Sequence, residues 1–215
     1  MTQTNPLSDS LVDSIQQETY GLFPTPVSKY TVPNHKQLKE QILLWMKDSA
    51  FKEKHGRESI SHNVTQIGDN NQLINDIPEL HRTLIDAVTK HNNNSIKYKT
   101  NFIINDSYLE LASEGAIYAP HEVSNCVYSM CYFINYNDEQ HSYIKWRKNV
   151  SSNHYPIIQI DSTELTPYNM TEATFKINEG DIVTFPANLT HGYDSNPSNE
   201  RITVSYTHLT LPTKA

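Results

Sequence analysis

Glycine is scarce in this sequence, six among 215 residues, and cysteine scarcer, with two. The first shortage excludes a glycine-rich phosphate loop and leaves few tight glycine turns. The second excludes a disulfide scaffold and any Cys-x-x-Cys metal site. Cys126 and Cys131 lie in one apolar run, five residues apart. On a strand they would point to opposite faces and could not bridge, so a reduced, cytoplasmic protein is expected. No apolar stretch approaches the roughly 20 residues of a membrane span. Met1 to Gln17 has neither a basic start nor an apolar centre, so no signal peptide is read. Basic residues are also few: 17 Lys and Arg against 24 Asp and Glu, a net charge of −7. Nonspecific nucleic-acid binding normally needs the opposite balance. Gly-x-Ser-x-Gly is absent too, which removes that route to a nucleophilic serine.

What is present is polar and aromatic. Thirteen Tyr and six Phe favour a β protein. His35 to Asp48 has Leu38, Ile42 and Trp45 at helical spacing. A second helix is expected from Ile77-Pro78, capped by Asp76, with Leu80, Leu84 and Val88 as its buried stripe and His91 to Ser95 as its end. Residues 49–72 read as polar and irregular. Leu22-Phe-Pro-Thr-Pro-Val27 reads as an extended edge segment, because two prolines interrupt it. After residue 97 the period becomes strand-like. Strands are expected at Asn101–Asn105, Tyr108–Ala112, Cys126–Tyr136, Tyr155–Ile160, Ala173–Ile177, Asp181–Pro186 and from Arg201 onward. Many short strands without intervening helices point to a sandwich or jelly roll.

The last residues stand apart. Val204 to Thr213 reads, codon by codon, as the translation of a transposase-type sequencing adapter. Residues 204–215 are therefore taken as adapter-derived, and His208 carries no functional weight. The alternative is a genuine C-terminal strand, since Val204 to Leu211 is β-prone. The expected organisation is a leader over 1–21 and one domain over 22–203. That domain has a helical layer to about residue 97 and a β core from about residue 98.

Two histidines stand out by context. His121 follows Gly115-Ala-Ile-Tyr-Ala-Pro120 and precedes the Cys126–Tyr136 run. His191 follows Gly180-Asp-Ile-Val-Thr-Phe-Pro186, and Arg201 comes ten residues later in Arg201-Ile-Thr203. In a jelly roll such histidines can converge on one iron, and the arginine can return facing inward. Two imidazoles and a carboxylate hold one face of such an iron and leave three positions open. A guanidinium can pair bidentately with a carboxylate.

These blocks resemble the 2-oxoglutarate/Fe(II)-dependent dioxygenase superfamily, and more narrowly the small oxygenases frequent in phages and marine microbes. Leu22 to Val27 looks like that group's opening segment. Pro120-His121 with Ser129-Met-Cys-Tyr-Phe133 looks like its metal-binding strand pair. The resemblance implies a mainly β fold with N-terminal helices: a double-stranded β-helix, or cupin-like jelly roll. It also implies Fe(II), 2-oxoglutarate as small-molecule co-substrate, and O2. His121 and His191 would hold the metal, and Arg201 with the Thr203 hydroxyl would anchor the co-substrate. The sequence departs from the family at Val123, where the usual His-x-Asp/Glu motif has its carboxylate. Glu122 is adjacent to His121 and could ligate only if a bulge re-aimed it.

Other features have plainer readings beside functional ones. Tyr118 is either a co-substrate contact or a packed core residue. Lys145-Trp-Arg-Lys148 is either a substrate contact or a strand end with snorkelling stems. Two function classes stay open: an oxygenase hydroxylating an unidentified substrate, and an inactive jelly-roll binding or phage structural protein, which Val123 would favour. Oligomeric state is not legible.

Overall fold

The computed structural model describes residue 18 and residues 24–48, 54–55, 61–68, 71–148 and 161–210. The expected strand at Tyr155–Ile160 and nearly all of the expected leader lie outside these residues.

The elements run β1 (Ser28–Thr31), α1 (His35–Asp48), β2 (Lys54–His55), β3 (Ser61–Ile67), α2 (Gln72–Asp76), α3 (Pro78–His91) and one π turn (Asn92–Ile96). Then come β4 (Phe102–His121), β5 (Tyr128–Asn135), β6 (Lys145–Arg147), β7 (Glu172–Ala173), β8 (Asp181–Pro186), β9 (Thr190–Tyr193) and β10 (Arg201–Thr210). The main sheet has the order β1-β8-β5-β10-β4-β9-β6-β7, and β3 pairs with β4 at the side. The recorded pairings are antiparallel. The sheet curls into the jelly roll that the strand pattern implied.

Helix α1 matches its expected span, and Leu38 and Ile42 are fully buried. The expected cap of α3 is corrected. Ile77 takes the N-cap without a side-chain bond, and Pro78 opens the helix. The Asp76 carboxylate instead accepts a hydrogen bond from Trp45 Nε1 at 2.9 Å, tying α1 to the start of α3. Leu80, Leu84 and Val88 form the buried stripe as read. They pack with Leu38 and Ile42 on one face of β5, β8 and β10, against Tyr132, Ile182 and Val204.

The other face of these strands builds an inner core from Cys131, Phe133, Val183 and Phe185 with Trp146 and Ile144. Strand β5 is therefore buried on both faces over most of its length. Cys126 and Cys131 are free, and Cys126 lies before β5 rather than on it.

Strand β4 sets the site. Two expected strands, Asn101–Asn105 and Tyr108–Ala112, form a single 20-residue strand that continues to His121. Its first half pairs with β10, with Arg201 opposite Ala112 and Thr203 opposite Glu110. Its last turns pair with β9, with Tyr118 opposite Tyr193 and His121 opposite His191. Between them the strand bends at Gly115, whose φ is 75°. The loop after β9 locks this bend: Gly115 N donates to Asn196 O at 2.8 Å, and Asn196 N to Ala116 O at 2.7 Å.

One difference from the sequence reading is instructive. Residues 61–67, taken as irregular, form β3, whose polar residues sit on a half-exposed ladder against β4. The strand expected from Arg201 onward is β10, which runs to Thr210 with Val204 and Tyr206 buried against the helical layer. The slot between β4 and β5 accepts an alternating strand, and Val204-Ser-Tyr206 has that alternation.

Candidate metal and carboxylate site

The end of β4 and the start of β9 bring the two singled-out histidines together. Their ring centroids lie 4.5 Å apart at an interplanar angle of 47°. Gly192 makes this possible: a Cβ there would sit 2.4 Å from the Tyr118 carbonyl oxygen. Any other residue would push β9 off β4 and separate the rings.

Both rings have the same tautomer imposed on them. His121 Nδ1 lies 2.9 Å from Ala119 O, and His191 Nδ1 lies 2.8 Å from Leu189 O. A carbonyl can only accept, so each Nδ1 carries a hydrogen, and in the neutral ring this leaves the lone pair on Nε2. Metal-ligating histidines are commonly oriented in this way. Burial, and then the neighbouring His121, lower the His191 pKa from 6.5 to about 4. The ring therefore stays neutral and available to a cation at neutral pH. Phe185 packs edge-on to His191 at 4.6 Å, and Tyr118 covers His121 at 4.7 Å.

No third ligand joins them. Among the described residues no group of three His, Cys, Asp or Glu side chains could hold one ion. Val123 lines the cavity beside the imidazoles. Glu122 does not turn inward: its Oε1 accepts from the Thr190 hydroxyl at 3.0 Å, on an exposed surface. Glu122 and Thr190 each adjoin a histidine, so strand alternation puts them on the opposite face. Among the described residues, the donor set thus fits a metal held by two imidazoles without a protein carboxylate.

Arg201 lines the same cavity and is 1% exposed. Its Nε donates to Ser142 O at 3.0 Å, and its guanidinium lies 4.3 Å from the Tyr193 ring centroid. Among the described residues its Nη1 has no hydrogen-bond partner. None of the ion pairs among the described residues involves Arg201. Burying an unmatched cation costs several kcal/mol, about as much as a small domain's spare stability. Such a group fits an anionic ligand.

Thr203 is placed differently from its expected role. Its hydroxyl lies 3.3 Å from Glu110 Oε2, which Ser205 also reaches at 2.7 Å. It is fully buried and is not among the cavity-lining residues. Tyr118 is both a core residue and part of the cavity wall. Lys145-Trp-Arg-Lys148 takes the plainer reading. Trp146 is buried and stacks on Phe175 at 4.8 Å, while Lys145 and Arg147 pair with Glu172 and Asp194. The sequence reading missed Glu110 and Tyr193. For Tyr193 a signal existed: it stands two residues after His191, on the same strand face.

No protein-family model and no curated protein matches the sequence. Solved structures do. A prolyl-4-hydroxylase from Pseudomonas putida superposes with a TM-score of 0.60 at 12% identity, over 86% of this chain and 92% of the other. A 2OG-Fe(II) oxygenase family protein from Burkholderia pseudomallei gives 0.56 at 10%, over 84% of each. HygX from Streptomyces hygroscopicus, with nickel and 2-oxoglutarate bound, gives 0.58 at 8%, over 86% and 82%. The fold is the one these solved structures share. Within this fold, His121, His191 and Arg201 line one cavity. Among the described residues, no helix is long and apolar enough to cross a membrane.

Proposed function

We propose that the chain is an Fe(II)- and 2-oxoglutarate-dependent oxygenase that hydroxylates a substrate not yet identified. One observation carries this reading. Two converged imidazoles and a buried guanidinium with an unmet donor line a single cavity. His121 and His191 would hold Fe(II) through Nε2, and Arg201 would take the distal carboxylate of 2-oxoglutarate. When bound, the metal, the keto acid and O2 supply an oxidative decarboxylation that yields succinate and CO2 and oxidises the substrate.

The chain's own contribution is positional. The Ala119 and Leu189 carbonyls fix the imidazole tautomers. The Ser142 carbonyl and the Tyr193 ring hold the guanidinium in place. Phe185, Val123 and Tyr118 wall the histidines with mostly apolar surface, which strengthens electrostatic contacts inside.

The test is succinate formation from 2-oxoglutarate on admitting air to Fe(II)-loaded protein, without added substrate. The reading predicts slow turnover that disappears in His191→Ala. A second reading rests on Val123 and the outward Glu122: a jelly roll that binds a carboxylate ligand without oxidation. Tight 2-oxoglutarate binding with no succinate would favour it.

A further inference from the structure

We propose that Glu110 recognises the primary substrate, and that this substrate carries an organic cation, a protonated amine or a guanidinium. The proposal rests on the oxygenase reading above, which gives Arg201 to the co-substrate and leaves the opposite charge of the same cavity without a use.

Glu110 is 5% exposed and lines the cavity together with His121, His191 and Arg201. Strand β4 brings it there. Glu110 stands on the first half of that strand, opposite Thr203 of β10, whereas His121 ends the strand opposite His191. The bend at Gly115 separates the two halves, and both contribute to the cavity wall.

The carboxylate is only partly matched. Among the described residues its hydrogen bonds come from the Ser205 hydroxyl at 2.7 Å and the Thr203 hydroxyl at 3.3 Å, both on Oε2. Oε1 accepts from neither. None of the ion pairs among the described residues involves Glu110. Two opposite charges, Glu110 and Arg201, thus line one cavity without pairing with each other. A buried carboxylate without a cation costs several kcal/mol, and hydroxyl dipoles offset only part of that. A neutral hydroxyl on the substrate would repeat what Ser205 and Thr203 already provide. A group with both N–H donors and positive charge supplies what is missing. Tyr108 and Ser129 add further hydroxyl-bearing wall to the cavity, which suits the polar flank of such a ligand.

The test is proton NMR of Mn(II)- and 2-oxoglutarate-loaded protein with butylammonium or butan-1-ol, probes of equal length that differ in charge. Line broadening by the bound Mn(II) reports a probe held near the metal. Butylammonium is expected to be broadened at concentrations at least about tenfold below those needed for butan-1-ol. Glu110→Gln keeps the shape, removes the charge and is expected to erase that preference. Melting curves establish that the variant is folded. If Glu110→Gln does not melt cooperatively, Glu110→Asp withdraws the charge by one methylene and is expected to weaken butylammonium alone. Equal broadening of the two probes by the unsubstituted protein, or an unchanged preference in a folded variant, overturns the proposal and leaves the oxygenase reading standing. Failure of the unsubstituted protein to bind 2-oxoglutarate in calorimetry overturns both.

Discussion

Replacing Arg201 by methionine separates what the residue does for a ligand from what it does for the fold. Methionine has a similar length and carries no charge. Three terms decide the stability change. The substitution leaves the Ser142 carbonyl without its 3.0 Å donor, a loss of about 1–3 kcal/mol. It removes the stacking on Tyr193 at 4.3 Å, about 0.5–2 kcal/mol. Against these, it relieves the desolvation of a cation that is 1% exposed and has no ion-pair partner among the described residues, worth several kcal/mol. The terms nearly cancel, so the melting temperature should move by less than about 5 °C. The ligand effect does not cancel. Truncating one partner of a buried charge pair costs about 2–5 kcal/mol, so 2-oxoglutarate affinity should fall at least about thirtyfold. Thermal melts and calorimetry on the same samples measure both. A fall of more than about 10 °C with unchanged 2-oxoglutarate affinity would show that Arg201 is a structural residue and refute the reasoning.

Three further outcomes are expected. Gly192→Ala places a Cβ 2.4 Å from the Tyr118 carbonyl; β9 must shift, and Mn(II) affinity measured by equilibrium dialysis should drop at least about tenfold, by partial loss of one ligand. In metal-free protein the His191 pKa of about 4 lies below its ordinary 6.5. The unfolded chain therefore binds more protons between those values, and stability that is complete above about pH 6.5 should decline toward pH 4 by up to about 3 kcal/mol. Urea melts across that range, flatter in His191→Gln, measure it. Ending the chain at Thr203 removes the rest of β10 and with it Val204 and Tyr206, which are fully buried. Each is worth about 1.5–3 kcal/mol, before the lost ladder bonds on both sides. Circular dichroism should then show no cooperative melt, whereas a native-like melt would place the strand outside the folding unit.

The site was partly legible because its members sit at fixed offsets from strand ends. His121 ends one strand, His191 opens another, and Arg201 opens the next, so linear order carried the geometry. Helix α1 and the stripe of α3 were readable from their apolar spacing, and β8 from an apolar run bounded by Asp181 and Pro186. Where periodicity failed, both faces of a strand shared one character. Strand β3 is polar throughout much of its length, so it read as a loop. Strands β6 and β9 are too short, at three and four residues, for alternation to show. Two expected strands joined across Asp106 and Ser107, and the strand runs on through the bend at Gly115, which neighbouring loops rather than local propensity hold. Glu110 had no signal: an acidic residue between Leu109 and Leu111 reads as a solvent-facing position, yet its face turns into the cavity. Thr203 was placed by family pattern, and its bond to Glu110 depends on a strand pairing that the pattern does not encode.

The most direct test of the central claim is an anaerobic titration of the purified chain with Fe(II) and 2-oxoglutarate, followed by visible absorption. The account predicts a weak charge-transfer band that requires both components and is lost in His191→Ala and in Arg201→Met. A chain that is folded by circular dichroism yet shows no band with both components present would contradict it.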